Sequence, residues 1–330
     1  MQIKDSIYGT FEIHEPVLAD LLQSQAVQRL HGVLQHGITG LIGLTQPITR
    51  YEHSVGTMLL VRQLGGSLGE QIAALLHDIS HTAFSHVIDY VWEDHDGQSY
   101  HDEMKETVVV GTDLPGILAR HRYNWTQFMD ETAFPLLEQP SPRLCADRID
   151  YFLRDCIGLG LATQAEVDRA VADLVVGDGR IALKTIDVAR WFGHTFMQAD
   201  DASWANFREV GLYELTARAI RRGLALGLIV PDDFWLTDAV LWQKLHVAAD
   251  AELQTLLAQV SLNTQFVWDE ANPTFRVSTK LRAVDPDIWQ DGVLRPLSAL
   301  DPVFATRREA YLSRKQGAWP MRVIDSENEA

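Results

Sequence analysis

Residues 50–89 read RYEHSVGTMLLVRQLGGSLGEQIAALLHDISHTAFSHVID, and this stretch decides how the rest of the chain is read. Val55, Leu59, Leu60 and Leu64 recur at helical spacing, which predicts a helix from Arg50 to Gly65. Gly65-Gly66 stops it, and EQIAALLH (Glu70–His77) predicts a second helix. His77 and His81 are four apart and share a face if that helix continues. Helices this apolar belong inside a protein, yet the stretch also carries His53, the adjacent pair His77-Asp78, then His81, His86 and Asp89. A core admits such groups when they are paired or bound to a metal.

Outward from this stretch the pattern stays helical. Ile3–His14 alternates around Gly9 as a short hairpin, Glu15–Leu34 predicts two short helices, and HGITGLIGLTQPIT (His36–Thr49) a Gly- and Thr-rich loop. Downstream, Glu93–Glu103 is polar with His101 near its end, and helical segments follow at Met104–Val110 and Ile117–Tyr123. SPRLCADRIDYFLRDCIG (Ser141–Gly158) opens on Ser-Pro, a helix start. Along it Asp147, Tyr151 and Asp155 fall at i, i+4 and i+8 with Arg148 at their edge, opposite Ile149, Phe152 and Cys156. Alone, that helix reads more readily as an amphipathic surface helix laced with ion pairs. An acidic helix from Thr163 leads to a hairpin around Gly177-Asp178-Gly179. Helical regions run from Asp187 to Leu228, interrupted near Asp200-Asp201, and from Asp232 to Val260. Residues 264–283 alternate as a small sheet, and the tail from Asp285 is Pro-dotted with basic pairs at Arg307-Arg308 and Arg314-Lys315. The fold class expected is mainly α with small β-hairpin and sheet appendages.

At 330 residues and 46% hydrophobic, the chain can bury a large core. A formal charge of −17 repels a phosphate backbone, so no duplex nucleic acid is expected as a partner. The two cysteines, Cys145 and Cys156, lie on one predicted helix about 16 Å apart. That is too far for a disulfide and fits a reducing compartment. The N-terminal segment has no apolar signal core, and no run approaches a membrane span. No membrane partner is therefore expected, and the localisation expected is cytoplasmic.

His53 and His77 as imidazoles with Asp78 and Asp147 as carboxylates make a two-His, two-Asp set drawn from three helices. Nitrogen and oxygen donors suit a divalent cation: Mn, Fe, Ni, Co, Zn or Mg. Four protein ligands leave positions for water and a phosphate oxygen, the arrangement of metal-assisted hydrolysis. A single His-Asp dipeptide arises often by chance. The series H…HDxxH…H…D is far more specific.

Those residues carry a resemblance to the HD-domain phosphohydrolases, and within them to the dNTP triphosphohydrolase branch that includes the SAM-and-HD-domain enzyme. The stretches that resemble it are IKDSIYGTFEIH, VQRLHGVLQHG, TRYEHSVG, ALLHDISHTAFSHVID and DRIDYFLRD, with a fainter likeness through LYELTARAI and WLTDAVL. The resemblance implies an HD-type helical core with the metal site over residues 1–160, a helical continuation completing the substrate pocket over 161–262, and a small α+β region over 263–330. It implies His53, His77, Asp78 and Asp147 as metal ligands, and His81, His86, Asp89 and His101 as acid-base and phosphate-facing groups. Arg50 and Arg148 fall on phosphate-contacting positions. Gln35, Tyr151 and Asp155 fall where the family reads the sugar, although ordinary helix-surface roles fit those three as well. The activity implied is metal-dependent hydrolysis of a (deoxy)nucleotide phosphoester by a homo-oligomer. Two alternatives stay open: a two-metal phosphodiesterase using His81, His86 and His101, and a slow nucleotide sensor. One departure stands out. Of an Arg, His and Tyr that the family spaces four apart on a later helix, only Tyr213 is matched; Ala205 and Glu209 hold the other places. That loss of positive charge predicts a substrate with fewer phosphates, unless Lys280, Arg282 or a neighbouring subunit supplies the cations.

Overall fold

Thr49 opens the central helix. Its hydroxyl accepts from the Glu52 N–H while the Glu52 carboxylate accepts from the Thr49 N–H, a capping box that fixes the first turn bearing Arg50 and His53. In the computed structural model, which describes residues 1–324, this helix is one of sixteen α-helices among the described residues. They are α1 (Pro16–Leu22), α2 (Gln25–Arg29), α3 (Ile38–Leu41), α4 (Arg50–Gln63), α5 (Leu68–Leu76), α6 (Val87–Val91), α7 (Tyr100–Val110) and α8 (Leu114–Arg120). The series continues with α9 (Ala146–Gly158), α10 (Gln164–Asp173), α11 (Ile186–Ala199), α12 (Phe207–Ala225), α13 (Asp238–His246), α14 (Ala251–Gln259), α15 (Leu297–Leu300) and α16 (Pro302–Lys315). Residues 325–330 of the expected C-terminal region lie outside the described residues.

Three small sheets decorate this helical body. β1 (Gln2–Asp5) and β2 (Gly9–Glu12) form the N-terminal hairpin. β3 (Leu174–Gly177), β4 (Arg180–Leu183), β7 (Asp287–Gln290) and β8 (Val293–Pro296) form the second sheet, with β4 and β7 parallel. In the third, β5 (Gln265–Trp268) and β6 (Phe275–Val277) do not pair with each other as the alternation of 264–283 suggests. β9 (Trp319–Ile324), brought back by α16, lies between them. Residues 278–286 are left as an extended strap between two sheets.

α4 packs between α5 and α9, and its buried face joins the larger of two hydrophobic clusters through Val55, Met58 and Leu59. Gly56 makes the α4–α9 approach possible: a Cβ there would lie 1.9 Å from Arg154 Nη2 and 2.1 Å from Asp150 Oδ1. Three local expectations need correcting. α5 ends at Leu76 with His77 as its cap, and residues 77–86 turn instead of continuing the helix, so His77 and His81 share no helix face. α9 begins at Ala146, not at Ser141-Pro142, because Leu136 O and Leu137 O accept the N–H groups of Ala146 and Asp147. α7 begins at Tyr100, so His101 stands on its first turn and not in a polar loop. The interruption near Asp200 is a π-helical turn, Asp200–Trp204, after which the Asn206 side chain caps α12.

Candidate active site

Helix α4, the turn that follows α5 and helix α9 bring four side chains to one point. His53 Nε2 lies 3.1 Å from His77 Nε2 and 2.9 Å from Asp147 Oδ1. His77 Nε2 is 3.5 Å from Asp147 Oδ1 and 3.4 Å from Asp78 Oδ1, and His53 Nε2 is 3.7 Å from Asp78 Oδ2. The far side of each ring fixes its proton. His53 Nδ1 is 2.8 Å from Asp150 Oδ2 and His77 Nδ1 is 2.7 Å from Ala74 O, and both partners can only accept. Each Nδ1 therefore donates, and each Nε2 lone pair faces the other and two carboxylates. Three buried acceptors and the part-exposed Asp147 carboxylate, all pointed at one another, call for a positive charge between them. Adjacent ligands of an ion with bonds of about 2.1 Å stand about 3.0 Å apart, so the set fits a divalent metal. With no ion between them a proton takes that place: burial disfavours charge on His77, but Asp78 and Asp147 pull its pKa up to about 10, and a bound ion would displace that proton from Nε2.

A second group of imidazoles flanks this cluster. His81 stacks on His101 with ring centroids 3.8 Å apart, and His86 meets the two edge-on at 5.1 and 5.4 Å. Burial, reinforced by Arg50, pushes His81 down to about 3; burial also holds His86 and His101 well below the ordinary histidine range. All three are neutral near pH 7. His86 Nδ1 is 3.0 Å from Asp89 Oδ2, and Asp89 Oδ1 accepts the Tyr100 N–H at 3.0 Å, so α7 and the His86-Asp89 pair are tied together. Burial raises Asp89 to about 6.

Both groups open into a cavity of about 360 Å³. Arg50 lies in its wall, donating to Asp78 at 2.7 Å and to Ser85 Oγ at 3.0 Å. Arg148 also lines it, although its guanidinium donates to Glu138, Gln139 O and Arg143 O. Asp155 accepts from Trp204 Nε1 at 2.7 Å and pairs with His36 Nε2 at 2.8 Å. Gln35, Tyr151, Trp204 and Tyr213 complete that end, with Tyr213 donating to His36 O at 3.2 Å. Glu209 does not line the cavity: it is 4% exposed and accepts from Thr39 Oγ1 at 3.0 Å. Glu209, which stands where the family places a cation, is therefore turned away from this wall, behind His36. Instead, Lys280 and Arg282 of the 278–286 strap reach it.

The HD domain family model matches residues 50–155, the span that holds all four converging donors. The metal-dependent phosphohydrolase cns2 of Cordyceps militaris is 39% identical to this chain, over 95% of it and 93% of that protein. The chain belongs to the HD-domain family of metal-dependent phosphohydrolases. A more distant relative is the deoxynucleoside triphosphate triphosphohydrolase SAMHD1 of Danio rerio, 24% identical over 50% of this chain and 35% of that protein. At the level of fold, a hypothetical protein from Aquifex aeolicus superposes with a TM-score of 0.70, covering 96% of this chain and all of that one at 17% identity. Among the described residues, no helix is long and apolar enough to cross a membrane.

The residues behind this HD-domain cluster were the ones sequence reasoning missed. Arg154 donates to both oxygens of Asp150, at 2.8 and 3.0 Å, and to Asp5 at 2.7 Å, so a buried chain from the β1 strand orients His53. The i, i+4 spacing of Asp150 and Arg154 was visible, but it looks the same as a surface ion pair. His36 and Trp204 were missed because each gains its role only through tertiary contact with Asp155.

Proposed function

We propose that this chain hydrolyses a phosphoester of a nucleotide, with His53, His77, Asp78 and Asp147 holding one divalent ion. The observation that carries the reading is the convergence of two imidazoles and two carboxylates beneath a cavity whose wall holds four cations, neutral imidazoles, aromatic rings and the carboxylates Asp102, Glu131 and Glu138. When bound, the ion polarises the phosphoryl group and acidifies water. The remaining work falls to side chains of this protein. Arg50, braced by Asp78 and Ser85, and Arg148 present N–H donors toward phosphate oxygens. His86 and His101, neutral before reaction, accept a proton and return it to the leaving oxygen; the Asp89 carboxylate orients His86 and stabilises its charged form. Tyr151, Trp204 and Tyr213 offer ring faces to a nucleoside, and Gln35 an amide to its polar edge. The distant likeness to proteins named deoxynucleoside triphosphate triphosphohydrolases supports a nucleotide. The test is a screen of the metal-reconstituted protein against nucleoside mono-, di- and triphosphates and simple phosphoesters, with the products identified. Turnover of a nucleotide in preference to simple phosphoesters is expected. Activity on simple phosphoesters alone would overturn the nucleotide assignment.

A further inference from the structure

Four arginine and lysine side chains meet the cavity, and two of them are already neutralised. Arg50 pairs with Asp78 at 2.7 Å and Arg148 with Glu138 at 2.9 Å. Lys280 and Arg282 have no carboxylate within ion-pair distance among the described residues. Their contacts are to neutral oxygens: Lys280 Nζ donates to Gly97 O at 3.3 Å, and Arg282 donates to Lys280 O at 3.2 Å and to the Gln98 amide oxygen at 2.5 Å. Asp200 is close, but it accepts the main-chain N–H of Arg282 at 3.2 Å. The strap that carries them is anchored, with Ala283 and Val284 buried in the main core and the Asp285 N–H donating to Pro142 O at 2.8 Å. Burial first, and then the neighbouring Arg282, lower the pKa of Lys280, and the more distant carboxylates of Asp102 and Asp147 only partly offset this. Fixed positive charge facing a cavity and resting on neutral acceptors is complementary to an anion.

We propose that Lys280 and Arg282 are specificity-determining residues that bind phosphate oxygens of the substrate, the strap supplying the cations that α12 lacks at Ala205 and Glu209. This rests on reading the cavity as a phosphoester site. On arrival of the anion, the two side chains exchange carbonyl acceptors for phosphoryl oxygens while the anchored backbone stays in place.

The test measures binding, not turnover. Inorganic phosphate and tripolyphosphate are titrated calorimetrically into the metal-loaded full chain, as wild type, Lys280→Gln/Arg282→Gln and the charge-conserving Lys280→Arg/Arg282→Lys. Metal content and melting temperature serve as controls, and the two single glutamine variants replace the double one if it folds poorly. The glutamine variant should lose roughly tenfold or more in affinity, with metal content unchanged and a shallower dependence on salt. The charge-conserving variant should keep most of it. Loss for tripolyphosphate alone supports contact with outer phosphates; equal loss for both probes supports contact with the phosphate at the metal. Unchanged affinity for both probes overturns the proposal. Since no step requires hydrolysis, failure of the nucleotide screen would leave this result standing on its own.

Discussion

At the scale of single residues, the account turns on which nitrogen of each imidazole carries the proton. Asp150 and Ala74 O hold the Nδ1 protons of His53 and His77, so both Nε2 atoms are free to bind a cation. Asp150→Asn keeps the shape but weakens that hold, and metal affinity should fall roughly 10- to 100-fold in a metal titration, with the fold retained. His101→Ala tests a different role. The ring stacks on His81 outside the four-donor set, so metal content should be unchanged while turnover falls roughly 10²- to 10⁴-fold. Loss of metal in that variant would make His101 a ligand. The proposed ligand set could be picked out of the sequence because His and Asp are expensive inside apolar helices. Asp150 was not, since its burial depends on how closely α9 can approach α4.

Between elements, two contacts set the geometry of the site. Gly56 lets α9 approach α4; in Gly56→Ala the new methyl must displace Arg154 or Asp150. A stability loss of roughly 1–3 kcal/mol in urea unfolding is expected, together with weaker metal binding. Asp238 is the second. Its carboxylate accepts the N–H of Leu34 at 2.9 Å and of Phe84 at 2.8 Å, joining the loop bearing Gln35 and His36 to the turn bearing Ser85. Burial raises its pKa to about 6, above the unfolded value near 3.8. Between those values the folded protein binds the extra proton, so this group's contribution to stability falls as pH rises from about 4 to about 6. The difference in unfolding free energy between wild type and Asp238→Asn should change across that window and be flat above about pH 7. A difference constant from pH 4 to 7 would mean that Asp238 titrates normally. Helix existence followed from periodicity, whereas the ends of α5, α7 and α9 did not. Ser67 caps the start of α5, the Asp89 carboxylate takes the first N–H of α7, and carbonyls of Leu136 and Leu137 take those of α9.

For the molecule as a whole, the mainly helical class and the metal-binding character were apparent from the residues, but the cavity was not. Its walls come from α4, α7, α9, the π-helical turn after α11, α12 and the 278–286 strap. The strap's position follows from β9 pairing between β5 and β6, a long-range arrangement that strand alternation within 264–283 does not encode. The absence of cations at positions 205 and 209 therefore says less about phosphate count than it first suggests, because charge enters from another part of the chain. What unites these scales is the proposal of a single ion site serving phosphoester chemistry. The most direct measurement is product release as a function of added divalent metal per chain, starting from metal-stripped protein and a nucleotide substrate. Activity should rise to a break at about one ion per chain in the wild type and stay at background for Asp78→Ala at every ratio. A break at two ions, or equal activity in Asp78→Ala, would contradict the account.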